Sequence, residues 1–283
     1  MRALIKLELT KALRNPWFAI ALVVSCGIAL ASAAETSRRA LEQMELKGHG
    51  SYEWIMLSAQ GSYGNWLLTA EGIAKELFFL LVPLLAIVPY AWSLRSEMVD
   101  GSLGQLYARC RRSRYLKAKA FATFCTGFLI VALPLALNFL TLSCLVPAYT
   151  PEVFDNLALG ISPRDAFSGL FFGHPLVYVL VNTLVDGLLC GTWATCVLAV
   201  SSLVDNRVVL LAGSYLFLIA ASYVNAVIFG ALGIIGFRFG LIGLLQGYAV
   251  GHMRDVYALF AVLALQALFS IVVLRARRDI DVL

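Results

Sequence analysis

Residues 95–119 read RSEMVDGSLGQLYARCRRSRYLKAK, a polar stretch set between two long apolar runs. It holds seven of the chain's 22 Lys and Arg (Arg95, Arg109, Arg111, Arg112, Arg114, Lys117 and Lys119) against two acids, Glu97 and Asp100. A helical signal precedes the basic cluster. Ser102 can cap an N-terminus, and Leu103, Leu106 and Tyr107 fall at i, i+3 and i+4 on one face. A basic, partly helical connection between apolar runs reads as the cytoplasmic docking element of a membrane protein.

The composition agrees. The chain has 283 residues, 60% hydrophobic and 14% charged, with a mean hydropathy of +0.83. A soluble domain is nearer a quarter charged, so these charges cannot cover a globule of this size. An all-α integral membrane protein is the expected class. The net charge of +5 is modest. The basic residues lie beside apolar runs, as topology requires, and nucleic acid is not an expected partner. The six cysteines include no Cys-x-x-Cys and lie mostly in apolar runs, which reads as small buried thiols and not as a zinc site or disulfide framework.

Toward the N-terminus, residues 1–16 place Ile5, Leu9, Ala12 and Leu13 on one helical face among Arg2, Lys6, Lys11 and Arg14, with Glu8 the one acid. That pattern predicts an amphipathic helix on the membrane surface, ended by Asn15-Pro16. A first span is expected over 17–34, where 18 apolar residues make a helix of about 27 Å. Ala31-Ser32-Ala33 resembles a signal-peptide cleavage site, but the long patterned basic region and the length of the apolar run favour an uncleaved span. Residues 35–71 read as an external loop, with short helices carrying Trp54, Trp66, Leu67 and Leu68 onto the membrane. A second span is expected over 73–94, kinked by Pro83 and Pro89, before the polar loop 95–119.

Toward the C-terminus, further spans are expected over 120–146 (broken at Pro134), 175–203, 208–229 and 257–274, making six in all. Between the last two, Gly230, Gly233, Gly236, Gly240, Gly243 and Gly247 punctuate an apolar segment around Arg238, which predicts a re-entrant or interfacial hairpin. With both termini in the cytoplasm, the inner segments carry roughly twice as many Lys and Arg as the outer ones. The whole chain reads as one transmembrane domain, 1–283.

Motifs for covalent chemistry are missing. The sequence has no Gly-x-x-x-x-Gly-Lys-Ser/Thr, no His-Glu-x-x-His and no Gly-x-Ser-x-Gly, and His49, His174 and His252 are scattered. No catalytic or metal-ligating residue is assigned. Asp186 stands out because it falls near the middle of the fourth span, where a charge is costly and faces a bundle interior. It reads either as a residue of the translocation path or as a buried acid that fixes helix packing. Gly187-x-x-x-Gly191 beside it is a candidate for a close helix crossing, and Asn138, Thr141, Asn182 and Thr192 are candidates for polar contacts between helices.

Three pieces of this arrangement resemble the membrane subunit of type-2 ABC exporters. LIKLELTKALRNPWFAIAL looks like the family's amphipathic elbow helix. In 95–119, Glu97, Gly101, Ser102, Leu103, Leu106, Arg114 and Lys119 match its first cytoplasmic loop, although Arg-Cys-Arg-Arg stands where the family often has a proline. The third piece is the six-span layout with a glycine-rich segment before the last span. The resemblance implies a permease, in a bacterial cell membrane, whose 102–111 helix couples to a separate ATPase subunit. Glu97, Gly101, Ser102, Leu103, Leu106, Tyr107, Arg109, Arg111 and Arg112 would serve that coupling. It also implies a second permease chain, the same or homologous, and no cofactor in this chain, since ATP would be bound by the partner. On the residues alone, a secondary carrier or channel without an ATPase, an intramembrane enzyme and a non-transporting scaffold stay open.

Overall fold

The chain is helical from its second residue, and its first break is written into its chemistry. In a computed structural model that describes residues 1–48, 58–101, 103, 107, 110–152, 159, 161, 165–232, 240–246 and 256–276, α1 (Arg2–Leu13) gives way to α2 (Pro16–Gly48) at Asn15. The Trp17 N–H donates to Asn15 Oδ1 at 3.1 Å, and Pro16 takes a first-turn position that needs no N–H donor. Then follow α3 (Ile73–Ile87), α4 (Ser93–Val99), α5 (Arg112–Leu145), α6 (Ser168–Gly173), α7 (Pro175–Val200), α8 (Arg207–Ala231), α9 (Leu241–Leu245) and α10 (Val256–Ala276). There is no strand among the described residues.

Among those residues, five helices are long and apolar enough to cross a membrane: α2, α5, α7, α8 and α10. Their outward faces are apolar. On α8, Val208, Val209, Leu216, Phe217 and Tyr223 are all exposed, a surface suited to lipid and not to water. The chain is thus a multi-pass membrane protein, helical throughout its regular elements among the described residues.

The expected second span, over 73–94, is where the count differs. α3 has 15 residues, a length of about 22 Å against a hydrocarbon core of about 30 Å. Pro89 has no N–H to donate to Leu85 O one turn back, although Val88 before it keeps a helical φ of −55 and ψ of −42. The chain turns over 88–92, with the Ala91 N–H on Ile87 O at 3.1 Å and the Trp92 indole on Val88 O at 3.0 Å, and resumes as α4. Pro83 lies inside α3 without ending it. Pro134, expected to break the third span, likewise lies inside α5, which runs unbroken for 34 residues.

Other boundaries moved for local reasons. α2 continues to Gly48, past the expected end at Ala34, because 35–47 contain no Gly or Pro and Glu35 pairs with Arg39 one turn on. α5 begins at Arg112 and so takes up the basic end of the expected loop. On α1, Ala12 is buried and Ile5 and Leu9 are half-buried, but Leu13 is exposed and Glu8 is buried in its place.

The bundle is centred on α5 and α7. A Cβ on Gly127 of α5 would lie 2.9 Å from Ala194 Cβ and 3.0 Å from Cys190 O. Cβ atoms on Gly187 and Gly191 would meet the rings of Phe128 and Phe124. The Gly-x-x-x-Gly pattern is thus a real close crossing. Polar side chains join α7 to α10, with the Thr192 hydroxyl on Gln266 Oε1 at 2.6 Å and Thr195 beside Ser270.

Residues 66–68 do not rest on the bundle's outside as expected. Trp66, Leu67 and Leu68 are fully buried, with Trp66 edge-on to Phe139 and Tyr178. Asn138 satisfies the backbone at this point. Its Oδ1 accepts the Leu67 N–H at 3.0 Å while its Nδ2 donates to Ala29 O of α2 at 2.7 Å. The Trp66 indole donates to Leu135 O at 3.1 Å. Irregular backbone is tolerated inside a bundle when it is satisfied in this way. Of the expected hairpin over 230–255, α9 is described. It packs on α3, with Gln246 Nε2 2.5 Å from Glu76 Oε2. Residues 233–239 and 247–255 lie outside the described residues.

Candidate functional site

The polar stretch 95–119 is held by charge and by packing. α4 carries Arg95 and Glu97 and ends at Asp100, and Gly101 follows at φ +68. A glycine suits that left-handed position because it has no Cβ to strain, and its N–H reaches back to Met98 O. Gly101→Ala is expected to cost about 1 kcal/mol. It should show as faster amide exchange over residues 93–99 with little change elsewhere.

Glu97 points inward and is 16% exposed at its side chain. It accepts from Lys119 Nζ at 2.5 Å and from the Tyr115 hydroxyl, and Lys11 Nζ lies 3.4 Å from its other oxygen. Lys119 is fully buried, as is Glu8 of α1, and Lys119 Nζ stands 3.7 Å from Glu8 Oε2. The Tyr90 hydroxyl donates to that same Glu8 oxygen at 2.7 Å. The Lys119 ammonium also sits over the rings of Tyr90 and Tyr115, 5.4 and 5.2 Å from their centroids.

Among the described residues, two acids and two lysines thus meet in one cluster, with Glu8 and Lys119 fully buried and Lys11 at its exposed edge, and the cluster joins α1, the 88–92 turn, α4 and α5. Outside it, Arg95 is paired with Asp205 in the turn between α7 and α8, and Arg207 lies over the Trp92 ring at 5.6 Å. Asn15 Nδ2 donates to Pro89 O at 2.6 Å. The start of α2 is thus pinned to the same turn.

The expected helix over 102–111 is described at few positions. Ser102, Leu106 and Arg109 lie outside the described residues. Leu103, expected to fill a partner's groove, is 1% exposed and packs with Leu94, Tyr115, Leu116 and Leu198 of its own chain. Tyr107 is half-buried, edge-on to Tyr115 at 5.8 Å, with the Arg112 guanidinium over its ring at 5.1 Å. Burial pushes the Tyr107 phenol above its ordinary value, so it stays neutral. These side chains fix the loop's shape. Arg111 is exposed and extended, just before α5. Among the loop's described residues, Val99 presents an apolar side chain to the outside, 69% exposed and next to exposed Asp100 and Gly101.

The sequence reading missed Glu8, Lys11, Tyr90 and Tyr115 as site residues. It met Lys119 as one of the loop's seven basic residues and as the last position of the family pattern. One signal was available: Glu8 and Glu97 are acids in segments otherwise dominated by Lys and Arg.

Asp186 lies elsewhere. It is fully buried on α7, one turn after Asn182 and one turn before Cys190. Asp186→Asn keeps the shape and one acceptor oxygen and is expected to leave folding unchanged. Asp186→Leu should lose about 1–3 kcal/mol in a denaturation experiment, by stranding the groups that face it. Impaired transport by a well-folded Asp186→Asn would separate a path role from a packing role.

Searches of protein-family models, of curated proteins and of solved structures find no match to this chain.

Proposed function

We propose that this chain is the permease subunit of an ATP-driven exporter of the type-2 ABC kind. It would bind a separate ATPase subunit on the surface around Val99, Asp100, Gly101 and Arg111. In this reading it pairs with a second permease chain, the same or homologous, and ATP is bound by the partner. α3 and α4 together make a bent second pass, bringing the total to six, α1 is the elbow at the membrane surface, and both termini face the cytoplasm of a bacterial cell.

The observation that carries the proposal is the Glu8–Lys11–Glu97–Lys119 cluster. A loop that only sets topology needs exposed charge. Here an acid from the loop is buried against both α1 and α5. Moving α4 would have to move those helices or separate charges at a cost of several kcal/mol. That is the connection needed to turn a push on the loop into motion of the spans. The absence of a nucleotide-binding motif in the sequence agrees with energy entering from outside.

The test is purification of the tagged chain from its native cells. An ATP-binding chain should co-purify with it, and Arg111→Glu/Arg114→Glu, which reverses two exposed charges, should reduce its recovery about tenfold or more with the permease still folded. Transport by the purified chain alone, driven by an ion gradient and indifferent to ATP, would favour a secondary carrier and overturn the proposal.

A further inference from the structure

On the α1–α4 end of the bundle, a groove of about 520 Å³ opens between the start of α5 and the end of α10. Its walls divide by chemistry. Leu116, Ala120, Ile271 and Leu274 form the apolar part, and Ser113, Lys117 and Arg275 the polar part. Lys117 and Arg275 are exposed, and neither has an ion pair among the described residues. The apolar part continues onto an exposed, lipid-facing surface that includes Phe121, Leu268 and Ile271.

We propose that this groove binds the headgroup of an anionic phospholipid. Lys117, Arg275 and the Ser113 hydroxyl would hold the phosphate, and an acyl chain would run down the wall toward Ala120 and Ile271. Two unpaired cations above an apolar slot between membrane helices match such a lipid in both charge and polarity. A soluble anion would use the cations and leave the slot empty. A zwitterionic lipid would fill the slot and leave the cations uncompensated. The proposal needs only the membrane-spanning character of the chain and stands or falls apart from the transport reading.

The probe is dioleoyl phosphatidylglycerol, titrated into the full chain in neutral detergent and read by native mass spectrometry, with phosphatidylcholine as the neutral comparison. Lys117→Gln/Arg275→Gln should weaken phosphatidylglycerol binding about 25-fold, and each single change about 5-fold, at about one charge's worth of headgroup attraction apiece. The single variants keep the test open if the double variant does not fold. Lys6→Gln/Arg14→Gln, which removes two cations from α1, should leave binding unchanged. Equal binding of the two lipids, or equal loss in the α1 control, would overturn the proposal in favour of general attraction to basic surface. Displacement of phosphatidylglycerol by inorganic phosphate alone would overturn it in favour of a free anion.

Discussion

Lys119→Met is expected to destabilise the protein by about 3–5 kcal/mol, since it removes one partner from a buried ion cluster. The side chain is fully buried, and its ammonium stands between Glu8 and Glu97. Without it, two carboxylates share one enclosed site, and among the described residues the half-exposed Lys11 is the cation that still faces both. The measurement is the denaturation midpoint in detergent, followed by circular dichroism. Glu97→Gln/Lys119→Met should recover much of the loss, because a buried charge pair removed as a pair costs far less than one left broken. If Lys119→Met were as stable as the unaltered chain, the cluster would not hold α1, α4 and α5 together.

A comparable loss is expected at the α5–α7 crossing. Gly127→Leu forces a branched side chain into a space where even a Cβ would lie 3.0 Å from a backbone oxygen. Overpacking of this kind typically costs about 1–3 kcal/mol, and the rigid backbone neighbour places this case at or above the upper end. Gly127→Ala should cost less, and Gly213→Leu on α8, where nothing lies within 4 Å, should be close to neutral. Similar midpoints for Gly127→Leu and Gly213→Leu would mean that the crossing is looser than its glycines indicate.

Much of the helical layout is legible in the sequence because its ends carry strong local signals. Pro175 opens α7, Asn206 caps α8 through its side chain on the Val208 N–H, and Arg275 lies in the last turn of α10. The Gly187–Gly191 pair was readable for the same reason, as a spacing within one helix. What was not readable depends on distant partners. Nothing near Pro89 shows that it ends a helix while Pro83 and Pro134 are absorbed. Trp66 and Leu67 look like interfacial anchors until Asn138, 71 residues from Leu67, is seen to satisfy the backbone there.

The loop divides in the same way. Its charge pattern and Gly101 could be read locally. The inward turn of Leu103 and Glu97 could not, because the groups that hold them lie on α1, α5 and α7. The sequence reading offered Leu103 and Tyr107 as contacts for a partner, but the fold uses them to shape the loop and leaves Val99 at the surface.

Val99 therefore offers the most direct measurement. A photo-crosslinking amino acid placed at Val99 in the full chain, activated in native membranes, should capture an ATP-binding chain, and the adduct's yield should change when ATP is trapped in that partner. An adduct with lipid alone, or one to a protein that binds no nucleotide, would contradict a role for this loop in ATP-driven coupling.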